Sequence, residues 1–200
     1  MPKPSRPELA FLVGAVLTVA SIVLPLGWAV HLARVTAVVK QDMAALVEAG
    51  TRFYAEYGVW PGARMGDYGD CRYGARFPNR EVVNVLRAVE GEGNAGNENN
   101  QQRIVFLDVT GAVRGRSGLN GEGDYVDPWG TPYQLVLDSD LNGVCDVVGS
   151  IYGVGIGGGM IVWSCGPDRR SETGDDILSW KREMGMSRIE RHTPFVEDLR

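Results

Sequence analysis

The fold is decided by residues 9–30, which read LAFLVGAVLTVASIVLPLGWAV and contain no charged side chain. As a helix this stretch would be about 33 Å long at 1.5 Å per residue, enough to cross the hydrocarbon core of a bilayer. A cleaved secretory signal is the competing interpretation, but its apolar core usually has about 7–15 residues and ends at a small-residue cleavage site. The longer run here predicts a transmembrane helix over residues 9–34.

Charges on either side of this span predict its orientation. Lys3 and Arg6 lie in the short N-terminal segment, residues 1–8, which the positive-inside rule keeps in the cytoplasm. The chain beyond the span would then be exported, with an extracytoplasmic domain over residues 35–180 and a C-terminal extension over residues 181–200. We therefore expect a single-pass membrane protein.

The part of the chain predicted to be exported is acidic. Residues 1–34 carry Lys3, Arg6 and Arg34 against Glu8, a net charge of +2, so a chain of formal charge −5 leaves −7 for the remainder. A surface of this sign lacks the cations that release counterions from nucleic-acid phosphates. Nucleic acid is therefore not an expected partner.

The helical pattern continues beyond the membrane. Gly58 and then Pro61 supply a stop, because Gly permits a left-handed cap and Pro cannot continue a helix. We predict one helix from about Glu8 to Tyr57, apolar on every face first and one-sided afterwards, with a kink at Pro25. The residues of the one-sided apolar stripe are Val35, Val39, Met43, Leu46, Gly50, Phe53 and Tyr57.

The remaining chain predicts a small antiparallel sheet. Strands are expected over residues 104–109, 133–137, 144–152 and 160–164. A short helix is expected over residues 80–90, and residues 91–102, GEGNAGNENNQQ, are predicted to form a polar loop that cannot bury enough surface to order itself. The fold class is α+β: a long N-terminal helix, transmembrane in its first half, packs its second half on the sheet.

Several motifs begin at the end of the long helix. They are FYAEYGVWP at residues 53–61, DPWGTPY at 127–133, SCGPD at 164–168 and TGDDILSW at 173–180. With the long apolar helix, these motifs resemble the type IV pilin and type II secretion pseudopilin superfamily, and within it the major pseudopilin. The resemblance implies a pilin-like fold and a structural subunit that assembles through its helix, not an enzyme.

The resemblance also implies a location, partners and assembly residues. The protein would sit in the inner membrane, with its folded domain in the periplasm, and would assemble with copies of itself, other pilin-like subunits and secretion-apparatus proteins. If Pro25 is aligned with the family's helix proline, Glu8 takes the place of a glutamate that pairs with a neighbour's N-terminal amine. Lys3 and Pro4 replace the family's Gly and Phe at the leader junction, which leaves leader cleavage open.

Residues 166–177 contain three aspartates, Asp168, Asp175 and Asp176. In the resembled family this loop binds calcium through two aspartates seven positions apart, which implies Asp168 and Asp175 here, with Asp176 beside them. Calcium takes roughly six to eight oxygen ligands, and an extracytoplasmic site needs only weak affinity. A solvated acidic loop closed by Asx turns is the alternative.

A second acidic segment begins after the strand expected over residues 133–137. Asp138, Asp140 and Asn142 have the opening spacing of a calcium loop, with Gly143 at the sixth position. The twelfth position should be a bidentate Glu and is Gly149. A hairpin turn with Asn-Gly at its tip is therefore the preferred interpretation, and a weak calcium loop is the alternative.

Disulfide chemistry and catalysis have weaker signals. Cys145 and Cys165 could form a disulfide after export, because neighbouring strands are expected to carry them. The two histidines, His31 and His192, lie near no recognisable nucleophile, and the GxGxxG pattern at residues 153–158 precedes a strand, so no enzyme is expected.

The alternative function is a membrane-tethered extracytoplasmic binding or sensing module that does not assemble.

Overall fold

The structure, a computed structural model, describes residues 6–62, 70–147, 152 and 155–180. Along the first helix, side chains are described at Thr18, at Ser21 and from Val23 onward. The predicted C-terminal extension, residues 181–200, and the side chain of Glu8 lie outside this description, as does most of the predicted cytoplasmic segment.

A single long helix extends along the N-terminal quarter of the chain. α1 (Arg6–Tyr57) has 52 residues and is continuous through Pro25, which corresponds to about 78 Å at 1.5 Å per residue. It ends where Gly58 takes a φ of +70° and donates its N–H to the Tyr54 carbonyl at 2.8 Å. This left-handed glycine cap ends the helix at the residue that the sequence predicts.

The exposure of α1 changes along its length. Leu24, Leu26 and Trp28 are between 64% and 72% exposed. By length and composition α1 can cross a membrane, and only 6% of its most apolar stretch is buried inside the protein. The core helix of a soluble protein would be mostly buried, so this exposure favours a membrane-crossing helix over a core helix.

The second half of α1 buries one stripe. The stripe consists of Val39, Met43, Leu46, Ala49 and Phe53, each at most 2% exposed. A spacing of three or four residues places these side chains on one face of the helix, and that face packs on the sheet. Gly50 lies on the same face and leaves room for the Met160 thioether. Burial of each large side chain contributes about 1.5–3 kcal/mol.

The elements after α1 are short. They are β1 (Arg72–Tyr73), α2 (Arg80–Leu86), a 3-10 turn (Ala95–Asn97), β2 (Gly118–Leu119), β3 (Tyr125–Val126), β4 (Gln134–Leu137), β5 (Val144–Cys145), β6 (Ile156–Gly157), β7 (Met160–Ser164) and β8 (Ile177–Leu178). The main sheet is antiparallel in the order β1-β4-β7-β8, and two further antiparallel pairs join β2 to β3 and β5 to β6. One long apolar helix and a small antiparallel sheet agree with the predicted α+β class.

Several predicted boundaries differ from the structure. No strand forms over residues 104–109, because Phe106 and Leu107 both donate their N–H groups to the Leu86 carbonyl, at 2.8 and 3.0 Å. Phe106 instead packs edge-on against Phe53, with ring centroids 5.4 Å apart. α2 ends four residues before the predicted boundary.

The strand expected over residues 144–152 is present only as β5 within the described residues. β5 pairs with β6, which lies in the glycine-rich segment predicted to be a loop. β8 was not predicted, although it completes one edge of the main sheet beside β7. Two-residue strands are too short to show a period of two in the sequence.

The prediction that residues 91–102 do not order themselves is wrong. Asn94 and Asn100 are fully buried. The Asn100 amide donates to the carbonyls of Val85 and Ile104, at 2.7 and 2.8 Å, and its oxygen accepts the Tyr57 hydroxyl at 2.7 Å. These hydrogen bonds order a segment that has little apolar surface to bury.

The predicted disulfide between Cys145 and Cys165 is also wrong, because both side chains are free buried thiols, as is Cys71. The Cys145 sulfur lies 3.1 Å from the Gly158 carbonyl, just before β7 begins, whereas Cys165 follows the end of that strand. Five strand residues separate the two positions by about 16 Å, far beyond the reach of a disulfide.

Replacement of Leu46 by Ala tests the buried stripe. We expect Leu46→Ala to lower the free energy of unfolding by about 2–5 kcal/mol, because a fully buried side chain leaves a cavity against the sheet. The measurement is denaturant unfolding of the full chain in detergent, followed by near-UV circular dichroism. Val38→Ala is the matched control, because Val38 is 47% exposed; equal losses in both variants would contradict the assigned face.

Candidate functional site

The exposed part of α1 is the first candidate surface. In the described part of this half, the exposed apolar side chains include Val23, Leu24, Leu26, Trp28 and Val30. Pro25 lies among them, and its missing N–H leaves one helix carbonyl without its usual donor. Such a surface is suited to lipid or to the same surface of neighbouring helices, which can satisfy that carbonyl.

The C-terminal loop, residues 166–177, is the second candidate site. Asp175 accepts the Asp168 N–H at 3.1 Å and the Thr173 hydroxyl at 2.7 Å. The pKa of Asp175 is lowered, chiefly by the Thr173 hydroxyl, and the Asp168 carboxyl is among the groups that interact with it. Gly166 has a φ of +66°, and a Cβ there would collide with the Asp175 backbone, so glycine is required for this close approach.

Asp176, the third aspartate of the loop, has its own donors. One of its carboxylate oxygens accepts the Tyr152 hydroxyl and, at 2.8 Å, the Thr173 N–H. Burial, reinforced by Asp176, raises the pKa of Tyr152 to about 12, so the tyrosine stays a donor at neutral pH. The other oxygen of Asp176 is buried and has no hydrogen-bond partner among the described residues.

One cationic side chain of the protein also holds this loop. The guanidinium of Arg72, on β1, lies 4.8 Å from the centroid of the Trp163 ring and donates to the Ser171 hydroxyl at 2.8 Å. It also lies 3.6 Å from the Glu172 carboxylate. Stacking and charge together tie the loop to two strands of the main sheet.

The residues of the loop fit a calcium ion. Asp168 and Asp175 supply neighbouring carboxylates, and the unpartnered oxygen of Asp176 leaves an acceptor for a cation or a water. Hard carboxylate oxygens are the ligands that calcium prefers. A bound calcium ion would cross-link the loop and supply no reactive chemistry.

Residues 138–143 do not form the preferred hairpin turn, because β4 pairs with β1 and β7 while β5 pairs with β6. The segment instead folds around Asp138, which is 4% exposed. Its two carboxylate oxygens accept the N–H groups of Asn142 and Gly143, each at 2.9 Å. Asn142 turns to Asp140, to which its amide donates at 2.8 Å.

Asp70 joins this segment from a distant part of the chain. Its carboxylate accepts the N–H groups of Ser139 and Asp146, at 2.6 and 2.8 Å. Asp70, Asp138 and Asp140 each place a carboxylate oxygen within 4.8 Å of the other two. These three residues are the Asp70 group. Among the described residues it is these three carboxylates that converge, not those of Asp168, Asp175 and Asp176.

Burial, with a smaller effect of neighbouring charges, perturbs the ionisation of Asp70. The pKa of Asp70 is raised, first by burial and then by the charges of Asp140 and Asp138, although the N–H groups of Asp146 and Ser139 act in the opposite direction. The sequence singled out Asp138 and Asp140 but not Asp70. Asp70 carries no local signal, because its partner Ser139 is 69 positions away.

Two of the sequence motifs meet at Asp127, which is 1% exposed. Asp127 accepts the N–H groups of Trp129 and Thr131 at 3.0 and 2.9 Å within its own motif. It also accepts the Ser164 hydroxyl at 2.6 Å from the other motif. Burial raises the pKa of Asp127, against these donors. The carboxylate therefore fastens the turn after β3 to the end of β7.

A cleft of about 560 Å³ lies where α1 ends. Phe53, Trp60 and Leu141 form part of its apolar lining, and Glu81 and Glu98 also line it. The Trp60 ring is stacked on Tyr54, with centroids 4.6 Å apart. Its size suits a small ligand.

The thiols and histidines form no catalytic arrangement among the described residues. Burial raises the pKa of Cys145 to about 12 and that of Cys165 to about 11, so both thiols are protonated and poorly nucleophilic at neutral pH. His31 is exposed on the first half of α1, and His192 lies outside the described residues.

Comparisons of this chain with protein-family models, with curated proteins and with solved structures gave no match. The resemblance to pseudopilins therefore depends on the long helix and on the motifs joined at Asp127 and in the C-terminal loop.

Ionisation of Asp70 tests the geometry of its group. Because the pKa of folded Asp70 is raised, the folded protein takes up this proton before the unfolded chain does. The contribution of Asp70 to stability therefore increases as the pH falls from neutrality through that pKa. We expect Asp140→Asn to lower the pKa of Asp70 toward its usual value, measured by carboxyl ¹³C NMR of the full chain in detergent. An unchanged titration of Asp70 in this variant would contradict the contact.

Proposed function

We propose that this protein is a pilin-like structural subunit, of the pseudopilin kind, in a type II secretion or related pilus-like apparatus. The subunit is anchored in the inner membrane by the first half of α1 and carries its folded domain in the periplasm. It assembles with copies of itself or with other pilin-like subunits, next to secretion-apparatus proteins. Its role in export is mechanical, and it is not an enzyme.

The observation that carries the proposal is the division of α1 into two halves. One continuous helix of 52 residues is buried on a single face from Val39 onward and exposes apolar side chains before it. A helix that only anchored a domain would not need to continue rigidly into the domain core. Rigid continuation transmits displacement of the membrane half directly to the sheet, which suits a filament subunit.

Assembly through the exposed half of α1 is consistent with the physics of apolar helices. In lipid, hydrophobicity alone does not drive helices together, so close packing and buried polar contacts decide association. The missing N–H of Pro25 frees a carbonyl one turn earlier that a neighbouring helix can satisfy. A carboxylate at position 8, on the membrane boundary, is costly unless it is paired or reaches the interface. These are the two assembly residues that the resemblance implies.

Calcium is proposed as a brace for the C-terminal loop, held by Asp168 and Asp175 and assisted by the free oxygen of Asp176. The loop is already fastened by Arg72 and by Tyr152, so the ion would add stability to a formed loop rather than fold it. The Asp70 group is a second candidate site for calcium, because its three carboxylates lie close to one another.

A membrane-tethered binding or sensing module is the alternative function. The cleft beside Trp60 favours it, because its volume and partly apolar lining suit a small ligand. Such a module would use α1 as an anchor and would stay monomeric in the membrane.

Photo-crosslinking distinguishes the two functions. We expect benzoylphenylalanine at Leu24, which is 72% exposed, to give dimers, trimers and higher multimers in native membranes, because each chain can be both donor and acceptor. The matched control is the same group at Val105, which is 58% exposed on the folded domain. A persistent monomer at Leu24 would reject the assembly proposal and favour the tethered module.

Thermal unfolding tests the calcium brace. With a Kd near 10⁻⁴ M, 10 mM calcium should raise the free energy of unfolding by about 2.7 kcal/mol, a Tm increase of about 5–10 °C for a chain of this size. We expect the double variant Asp168→Ala with Asp175→Ala to lose this calcium-dependent increase. Asp108→Ala, at an exposed position, is the control.

Asp140→Ala is measured in parallel. If only Asp140→Ala loses the calcium-dependent increase in Tm, the ion binds at the Asp70 group. If neither Asp140→Ala nor the double variant loses it, both sites are excluded.

A further inference from the structure

The loop of residues 111–116 is held beside the helix by a chain of three side chains. The Tyr133 hydroxyl donates to the Asp42 carboxylate on α1 at 3.0 Å. The Ser117 hydroxyl, which directly follows the loop, lies 3.3 Å from the same Tyr133 oxygen. The loop therefore ends close to Asp42, and its start lies beside its end because Gly111 is bridged to Leu119.

This position is near the predicted membrane surface. Asp42 follows Arg34, the last residue of the predicted span, by eight residues, or about 12 Å of helix. The headgroup layer occupies about 5–8 Å beyond the hydrocarbon core, and electrostatic interactions extend a further Debye length of about 10 Å at 0.1 M salt. A loop at the level of Asp42 lies within that range.

The composition of the loop differs from that of the domain that carries it. Residues 111–116 read GAVRGR, and all six are exposed. Val113 is 65% exposed and is followed by Arg114 and Arg116, neither of which has an ion-pair partner among the described residues. A basic loop with an apolar tip, in a part of the chain whose net charge is −7, is a localised feature.

Two exposed cations of α1 lie toward the predicted span from Asp42, about 80° (Arg34) and about 200° (Lys40) around the helix from it. Arg34 and Lys40 precede Asp42 on the helix, and both are exposed. The carboxylate of Asp42 is itself engaged by Tyr133 and by Tyr125, whose pKa is raised by burial and by this carboxylate. The next acidic residue of α1, Glu48, is about 9 Å further from the membrane.

We propose that residues 111–116 form a surface that binds anionic phospholipid headgroups, with Arg34 and Lys40 adding positive charge around the helix. The arginines contact the phosphates and Val113 enters the interface, which fixes the tilt of the domain against the membrane. Clusters of basic residues beside a transmembrane helix have this chemistry, and apolar residues among them strengthen the binding. This inference depends on the proposed anchoring of α1 but not on assembly.

The test places an environment-sensitive fluorophore at Val113→Cys in the full chain. One protein copy per nanodisc excludes contacts between subunits, and the discs contain either phosphatidylcholine alone or about one third phosphatidylglycerol. We expect quenching by a headgroup spin label to be at least twofold stronger in the anionic discs, and to fall to the neutral value in 1 M salt, where the Debye length is about 3 Å.

Two controls give the result its meaning. The fluorophore at Val105→Cys, a similarly exposed position beside Phe106, which packs on Phe53, should show no lipid dependence. The double variant Arg114→Glu with Arg116→Glu should remove the lipid dependence at Val113. Equal quenching in both discs, or equal lipid dependence at Val105, overturns the proposal. A chain that does not enter the discs rejects the anchoring itself, whereas absent crosslinks at Leu24 reject only assembly.

Discussion

The structure depends on one constraint, the burial of a single face of α1 that begins at Val39 and is absent before it. From Val39 to Phe53 successive buried side chains are three or four residues apart, and the sheet covers the face that they form. Among the described side chains before Val39 none is fully buried and most are exposed, so the apolar ones need lipid or other helices. The same continuous hydrogen-bonded rod joins the two environments, so neither half can move without the other.

Polar contacts, more than apolar ones, position the loops around this core. Asp127 joins the turn after β3 to the end of β7, Arg72 joins the C-terminal loop to β1, and Asp70 joins residues 138–146 to the chain before β1. Each contact brings together segments that are far apart in sequence. Buried carboxylates need such donors, because an unpaired charge in the interior is costly. These contacts hold the loops in place without a bound ion.

The sequence predicts the elements whose signal is local and long. The period of α1, its glycine cap and the apolar runs of β4 and β7 all come from neighbouring residues, and the structure agrees with them. The hairpin at Asn142, the disulfide of Cys145 and the unordered segment around Asn100 were wrong for a shared reason. Each depends on distant partners: strand pairing, strand direction and buried amide hydrogen bonds are set by tertiary contacts that no local window contains.

The direction of β7 orders the candidate sites along the rod. Met160 at the start of β7 lies against Gly50, whereas Trp163 near its end is paired with Gln134, next to the Tyr133 that binds Asp42. The strand therefore runs toward the exposed half of α1. The Asp70 group follows Leu137, which is opposite Met160, so its three carboxylates lie at the end of the domain away from the exposed half of α1. At the opposite end Asp168 and Asp175 are accompanied by Arg169 and Arg170. An acidic domain next to an anionic surface is repelled by it, and, with α1 anchored as proposed, this arrangement places the most closely grouped carboxylates on the side farther from the membrane.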